Sequence, residues 1–323
     1  MTTDGPVAAN GPVPLGTRVV LRYRLPVGYS HPMTDVIGEL VALEPAIVVR
    51  TADKQLVQVS PGAVVALKPI AARPIRTSEI RSLEHAAAAA WPGIDCAWID
   101  GWFVRAGAGY TRRANSAAPL GERGKVGDVT DPSTHHRLRE WFADRALPLT
   151  LQIPERLGRV PDGWETSGAT LVMAADLENV PLPPASDPVV VDAAPSAEWL
   201  TLHPGGDQPI VAAVLRAVLG GTVGFGRIGA PGATPLAIAR AAVTDAPDGR
   251  RWVGLSAVRV GDEHRRRGVG TLLCGSLLRW GRDLGATHTY VQVEEDNLAA
   301  RGLYRELGFV DHHRCRYATG PVG

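Results

Sequence analysis

Between Arg251 and Leu284 a β-forming run, "RWVGLSAVRV", stops at Val260, crosses the basic turn "GDEHRRRGVG", and becomes an apolar, helix-forming run, "TLLCGSLLRWGRDL". Strand, basic glycine turn and helix in that order restrict the chain to an α/β framework with a polar site at the strand-to-helix corner. A helix that starts at Gly268 leaves the N–H groups of Val269, Gly270 and Thr271 without intrahelical acceptors, and the helix dipole adds partial positive charge there. Gly268 and Gly270 carry no Cβ to hold an anion away from the main chain. Arg265, Arg266 and Arg267 add charge-assisted donors. Leu272, Leu273, Leu277, Trp280 and Leu284 recur at helical spacing and anchor the helix on a sheet. The corner is expected to hold a pyrophosphate. Its spacing is neither that of a Gly-x-Gly-x-x-Gly dinucleotide loop nor that of a Walker loop ending in Gly-Lys-Ser/Thr, which argues against nicotinamide and nucleoside triphosphate.

The rest of the chain sets the context. At 323 residues it exceeds what one core usually organises, so two or three domains are expected. A formal net charge of +1 gives no overall attraction to nucleic acid or an anionic membrane, so anion binding must come from local clusters such as the arginine run. No stretch approaches the roughly 18 apolar residues of a membrane span, and "MTTDGPVAANGPVPLG" lacks the basic start and apolar centre of a secretory signal. Residues 1–13 are expected to be a disordered N-terminus of a cytoplasmic protein. Cys96, Cys274 and Cys315 are odd in number and far apart, which speaks against a disulfide framework or a zinc site. The adjacent pairs His135-His136 and His312-His313 diverge on a helix or strand, so no metal site is expected. Ser256 lacks the Gly-x-Ser-x-Gly turn of a nucleophile elbow.

From Gly16 to Leu67 five short alternating runs, "TRVVLRY", "DVIGELVAL", "AIVVRT", "QLVQVS" and "AVVALKP", predict a small all-β barrel over 14–72, SH3-like or Tudor-like. It suits a scaffold or dimerisation module as readily as a module that binds a protein partner or nucleic acid. After a proline-containing linker, Ser78 is the expected N-cap of a helix that stops before Pro92-Gly93. "CAWIDGWFVRAG" and "YTRRANSAAPL" read as the two arms of a hairpin, "DPSTHHRLREWFADRAL" as a helix, and "LTLQIP" and "ATLVMAADL" as strands. The proline-rich "ENVPLPPASDP" closes this unit, 76–180. Residues 187–323 repeat a similar order, with strands at "VVVDAA", "TVGFGRI" and "PLAIARAAV" before the arginine turn, then "THTYVQVE", the helix "NLAARGLYREL", and a strand from Phe309 to Tyr317.

Arg265-x-x-Gly268-x-Gly270, followed by "VEEDNLAARGLYRELGF", resembles the acyl-CoA-binding motif and the C-terminal strand and helix of the GNAT N-acetyltransferase superfamily. The likeness is strongest over 251–317. The family implies a mixed central sheet flanked by helices and acetyl-CoA as donor. By that resemblance the main chain of Val258, Arg259 and Val260 binds pantetheine, residues Arg265, Arg266, Arg267, Gly268, Val269, Gly270 and Thr271 bind pyrophosphate, and Asn297 touches the cofactor arm. Tyr304 stands where the family has a tyrosine that protonates the departing thiolate; a packed core tyrosine is the other use of that position. The central strand carries no acidic residue, so Glu294 is the candidate base, with a solvated surface carboxylate as the alternative. The unit 76–180 resembles a degenerate second copy without the Arg-x-x-Gly-x-Gly spacing, expected to wall the acceptor side. Within "GYTRRANS", Arg113 and Asn115 are the candidate acceptor contacts, a salt-bridged hairpin being the alternative. The functional expectation is an N-acetyltransferase acting on a protein or small-molecule amine, against a non-catalytic acetyl-CoA-binding protein. The resemblance extends to actinobacterial GNAT proteins with an added N-terminal barrel.

Overall fold

The computed structural model describes residues 13–71, 73–122, 126–128, 130–184, 188–230 and 232–320, and the chain divides into two compact units, one ending at Pro74 and one starting at Ile75. In the first, β1 (Arg18–Arg24), β2 (Met33–Ala42), β3 (Ile47–Arg50), β4 (Leu56–Val59) and β5 (Val64–Pro69) form an antiparallel sheet in the order β4-β3-β2-β1-β5. These are the five alternating runs of the sequence. Alternation sends Val19 and Leu21 of β1 and Leu40 of β2 into one core. Val13 packs in that core too, which corrects the expectation of a disordered N-terminus at its last residue; residues 1–12 lie outside the described residues.

The second unit starts with α1 (Thr77–Ala90). Arg76, not Ser78, is its N-cap: its main-chain N–H donates to Glu79 at 2.8 Å. The first run expected as one hairpin arm is itself a hairpin, β6 (Asp95–Ile99) and β7 (Trp102–Ala106). Asp100 and Gly101 take φ of 48° and 82°, the two left-handed residues that a two-residue hairpin turn requires. There follow β8 (Ser116–Ala118), α2 (Pro132–Ala143), β9 (Thr150–Pro154), β10 (Glu165–Asp176), β11 (Val189–Asp192), α3 (Ala197–Leu202), α4 (Pro209–Arg216), β12 (Thr222–Ile228) and β13 (Ala237–Asp245). The chain ends with β14 (Arg251–Val260), α5 (Val269–Asp283), β15 (His288–Glu294), α6 (Leu298–Glu306) and β16 (Val310–Thr319).

Among the described residues the eleven strands of this unit lie in one mixed sheet, ordered β11-β12-β13-β14-β15-β10-β16-β9-β8-β7-β6. Apart from the additional edge strand β11, the order is symmetric about the antiparallel contact of β10 with β16. On either side come a strand (β15 or β9), a parallel neighbour (β14 or β8) and an antiparallel ladder. The halves expected over 76–180 and 187–323 therefore exchange strands: β10, from the first, inserts between β15 and β16 of the second, and β16 pairs with β9 of the first. Two helices cover the faces beside β14. α5 packs close: a Cβ at Gly281 would stand 2.6 Å from Val253 Cβ. On the other side Leu83, Ala86, Ala87 and Ala90 of α1 meet Val172, Ala242, Trp252 and Tyr290, where short alanines allow close approach to the sheet. Among the described residues no helix is long and apolar enough to cross a membrane.

Candidate active site

β14 and β15 are paired in parallel from Trp252↔His288 to Leu255↔Val291, then part. The cause lies on the other edge of β14. Ile238 pairs with Arg259 and Arg240 with Ser256, so Ala257 and Val258 together oppose Ala239. Ala257 takes φ 51°. This bulge bends the strand away from its parallel neighbour and leaves Ser256 to Val260 without a partner toward β15. Val258 and Val260 pack on the core as Val269 and Leu303 do, so the open edge lies beside the start of α5 and the body of α6.

The basic turn follows at once. Asp262–His264 form one 3₁₀ turn, Arg266 is left-handed at φ 59°, and Gly268 caps α5 at φ 75° without any side-chain cap. No main-chain acceptor among the described residues receives the N–H groups of Arg266 to Thr271. Nothing stands within 4 Å of a Cβ built on Gly268, so the approach to those donors is open. Arg265 is tied to Asp262 at 2.7 Å, whereas Arg266 and Arg267 are exposed. Open N–H groups, the dipole end of a fifteen-residue helix and two exposed guanidinium groups make an anion site fit for a pyrophosphate.

The symmetric position in the first half is closed. α2 follows β8 and leads to the parallel strand β9, as α5 joins β14 to β15. Its N-cap is Asp131, whose carboxylate accepts from the N–H groups of Ser133 and Thr134 at 3.2 Å. Hydrogen bonds from Thr134 and Ser133 bring its pKa down to about 2. The helix thus carries its own anion.

Tyr304 lies on α6, 5% exposed, with its ring against Phe309. Burial pushes its pKa far up, with Cys274 adding to the effect, so the phenol is protonated at neutral pH. Its hydroxyl has no hydrogen-bond partner among the described residues. Cys274 is fully buried, and burial pushes its thiol up to about 12. Asn297 caps α6 by accepting from the Ala300 N–H at 3.0 Å.

Where β14 and β15 part, a cavity of about 320 Å³ opens, lined among others by Trp91, Tyr110, Arg113, Ser256, Gln292 and Glu294. Alternation turns Glu294 into it and Glu295 away, toward Arg314. Glu294 pairs with Arg112 at 3.1 Å. The structure brings Arg113 and Glu294 together from positions 181 residues apart in sequence. It does not bring Asn115, which corrects that expectation: its Oδ1 accepts from Gly107 and Gly109, and its Nδ2 donates to the carbonyls of Tyr110 and Thr111. Asn115 shapes the loop that presents Arg113. Tyr110 and His203, not anticipated from the sequence, meet here at 2.5 Å. Burial, with Arg259 nearby, pushes His203 down to about 4.

Beneath the cavity lies a buried polar cluster. Glu84, 2% exposed, accepts from Gln152, Gln292 and His313 at 3.0–3.2 Å, and Arg105 bonds to Gln152. His313 thus bridges its neighbour His312, through the two Nδ1 atoms at 2.8 Å, and a carboxylate 229 residues away. No local pattern signals such a partner. Among the described residues no His, Cys, Asp and Glu group could hold a metal.

Comparison with known proteins places this geometry. Residues 77–318 match the family model described as "Probable histone acetyltransferase Rv0428c C-terminal", and residues 13–68 match "Rv0428c N-terminal Sm-like domain". The small β-unit therefore matches an Sm-like domain where an SH3-like one was expected. The chain is 41% identical over 304 residues to a Mycobacterium tuberculosis protein named probable histone acetyltransferase Rv0428c, covering 94% of both chains. Over 63 residues it is also 41% identical to an uncharacterized N-acetyltransferase, YobR, of Bacillus subtilis, covering 19% of this chain and 26% of that one. A GCN5-related N-acetyltransferase from Kribbella flavida superposes with a TM-score of 0.52 at 17% identity, covering 78% of this chain and 98% of that one. The parted parallel strands, the open helix start and the match over nearly the whole length together make the chain an acetyltransferase of GNAT fold, belonging to the Rv0428c family with its N-terminal Sm-like domain.

Proposed function

We propose that the protein is an N-acetyltransferase that takes the acetyl group of acetyl-CoA and passes it to an amine by direct attack in a ternary complex. The observation that carries this reading is the open edge of β14, Ser256 to Val260, ending at the unpartnered N–H groups of α5. The main chain of Val258, Arg259 and Val260 is assigned to the pantetheine amides. Arg265, Arg266, Arg267 and the N–H groups of Gly268, Val269, Gly270 and Thr271 are assigned to the pyrophosphate, with Asn297 beside the cofactor arm. Residues 187–323 supply this donor site, while the first half contributes Trp91, Tyr110 and Arg113 to the acceptor side.

Attack of the neutral amine on the thioester carbonyl breaks the carbon–sulfur bond, and the departing thiolate takes a proton. Tyr304 is assigned as its donor, by its resemblance to the family's tyrosine at this place on the helix and because its hydroxyl has no competing partner among the described residues. Glu294 is assigned as acceptor of the amine proton, being the only carboxylate among the residues lining the cavity, with Arg112 fixing its position. Cys274 takes no part in this scheme, because a buried thiol raised to about 12 is a poor nucleophile.

The test is release of free CoA thiol from acetyl-CoA with mixed amines, comparing wild type with Tyr304→Phe. The variant is expected to bind acetyl-CoA as the wild type does and to lose roughly 100-fold or more in kcat, the usual worth of a positioned general acid. Absence of any acetyl-CoA binding in calorimetry would overturn the reading.

A further inference from the structure

The acceptor cavity has buried polar atoms that the described residues leave unmet. Arg113 lies at its wall with its guanidinium 5.7 Å from the centre of the Trp91 ring, and it makes no hydrogen bond or ion pair among the described residues. Its Nε is buried with no partner, and so is Nδ1 of His203 on the same cavity. Each such orphan costs about 1–3 kcal/mol while it stays unmet, and orphans gathered on one cavity point to a missing group. The carboxylate of the lining and two of its hydroxyls are already engaged. Glu294, the one carboxylate there, is engaged by Arg112. Ser256 Oγ already accepts from the buried Arg240 at 3.4 Å, and the Thr111 hydroxyl accepts from Trp91 and Ala114. Two guanidinium groups against one carboxylate leave the lining with a net positive charge, and behind it Arg240, 4.7 Å from the same Trp91 ring, and Arg105 outnumber the one carboxylate of Glu84. A cationic acceptor would be repelled. The loop that presents Arg113 is rigid, because Asn115 ties four main-chain groups of Gly107 to Thr111. A guanidinium beside an aromatic ring, with no partner of its own, has its fork of donors free to grip a carboxylate by two hydrogen bonds.

We infer that the acceptor is a small amine that also carries a carboxylate, an amino acid or a close relative, with the carboxylate bound to Arg113 and the amine directed toward the gap between Ser256 and Gln292. A volume of about 320 Å³ sits at the small end of the roughly 300–1,000 Å³ of small-molecule sites, which suits such a molecule better than a folded protein's side chain with its flanking backbone. This rests on the acetyl-transfer reading above and adds the chemical class of its acceptor. The further residue it assigns is Arg113 as the determinant of that class.

The experiment uses the full-length protein and acetyl-CoA, with CoA thiol release as readout. The acceptors are the free amino acids singly, their carboxamides, and a lysine-rich peptide. At least one carboxylate-bearing amine is expected to be turned over with a kcat/KM roughly 30-fold or more above that of its carboxamide, the worth of a charge-assisted hydrogen-bond pair. Arg113→Gln is expected to raise KM for that acceptor by a similar factor and to erase the preference over the carboxamide. Arg113→Lys is expected to restore part of it. Acetyl-CoA binding by calorimetry should be the same in all three proteins, which also reports that the variants are folded. Preference for carboxamides or for the lysine-rich peptide would overturn the inference and leave acetyl transfer standing. So would binding of acetyl-CoA with turnover of no carboxylate-bearing amine, or an Arg113→Gln protein whose preference is unchanged. Failure to bind acetyl-CoA at all would instead remove the underlying reading.

Discussion

Arg240→Leu is expected to destabilise the second unit by about 3–5 kcal/mol. Arg240 is 1% exposed in the middle of β13, and burial brings its pKa down, to about 9, which still leaves it charged at neutral pH. Its Nε donates to the carbonyl of Leu215 at 2.6 Å, and one terminal nitrogen donates to those of Ala90 and Ala217 at 2.8 and 2.9 Å. These carbonyls close α1 and α4, and the last turn of a helix has carbonyls with no partner of their own. One guanidinium therefore caps two helices. Leucine fills much of the space and removes the cost of a buried cation, a change that is often neutral when a whole ion pair is replaced. Here the acceptors are backbone and cannot be deleted with the arginine. Three stranded carbonyls at about 1–3 kcal/mol each, offset in part by the lost desolvation cost, give the stated net. For a unit of this size that corresponds to a fall of roughly 6–20 °C in Tm. All eight tryptophans lie between residues 91 and 280, so urea unfolding followed by tryptophan fluorescence reports this unit without the N-terminal one. Arg240→Lys, with donors radiating from one nitrogen, should fall between the two. An Arg240→Leu protein within about 1 kcal/mol of wild type would show that water or local rearrangement satisfies the helix ends, and the double-cap account would be wrong.

Further outcomes follow from the donor site and the buried titratable groups. Arg266→Ala and Arg267→Ala are each expected to weaken acetyl-CoA binding roughly 10- to 100-fold, the worth of a hydrogen bond to a charged group, and less so in high salt; calorimetry at two ionic strengths checks this, and unchanged affinity refutes the pyrophosphate assignment. Stability should fall as the pH drops from 6.5 toward 4. Burial brings His203 and His312 to about 4 from 6.5, with Arg259 and His313 respectively adding to the effect, so in that window the unfolded chain takes up protons that the folded chain refuses. Glu84 adds to the loss below 4.5: burial acts to raise it, but the hydrogen bond and charge of His313, with Arg105 and Arg113, hold it lower, so its stabilisation disappears as it is protonated. Urea midpoints at several pH values that stayed level from 7 to 4 would contradict both signs.

What the sequence disclosed was local chemistry. The strand, the "RRRGVG" corner and the helix were legible because each is set by residues within a few positions of one another, and so were the five alternating runs of the N-terminal unit. The Asp100-Gly101 turn was equally local, yet the longer alternation through "CAWIDGWFVRAG" concealed it. The bulge at Ala257 had no signature, since alanine carries no preference for a left-handed φ; β13 imposes it from across the sheet. Arg113 and Asn115 sit two residues apart in one polar loop, and only packing decides that one faces the cavity while the other ties the loop together. The Glu84–His313 contact and the exchange of β10 and β16 depend on partners far along the chain, and no periodicity encodes them.

The two halves share an arrangement around β10 and β16 and differ at the start of the crossover helix. Each has a strand, a crossover helix and a parallel strand paired with the first. At α5 the helix start offers open N–H groups behind a left-handed glycine; at α2 the corresponding donors are taken by Asp131, with Pro132 next in line lacking an N–H of its own. A helix start can hold an external phosphate or its own carboxylate, but not both at the same place. The first half is thereby committed to structure, and its strands and loop can serve the other half: β10 completes the sheet beside β15, and the loop before β8 delivers Arg113 to the point where β14 and β15 separate. The exchange of strands makes this division of labour permanent, because removing either half would leave β15 or β9 with an unpaired edge inside the sheet.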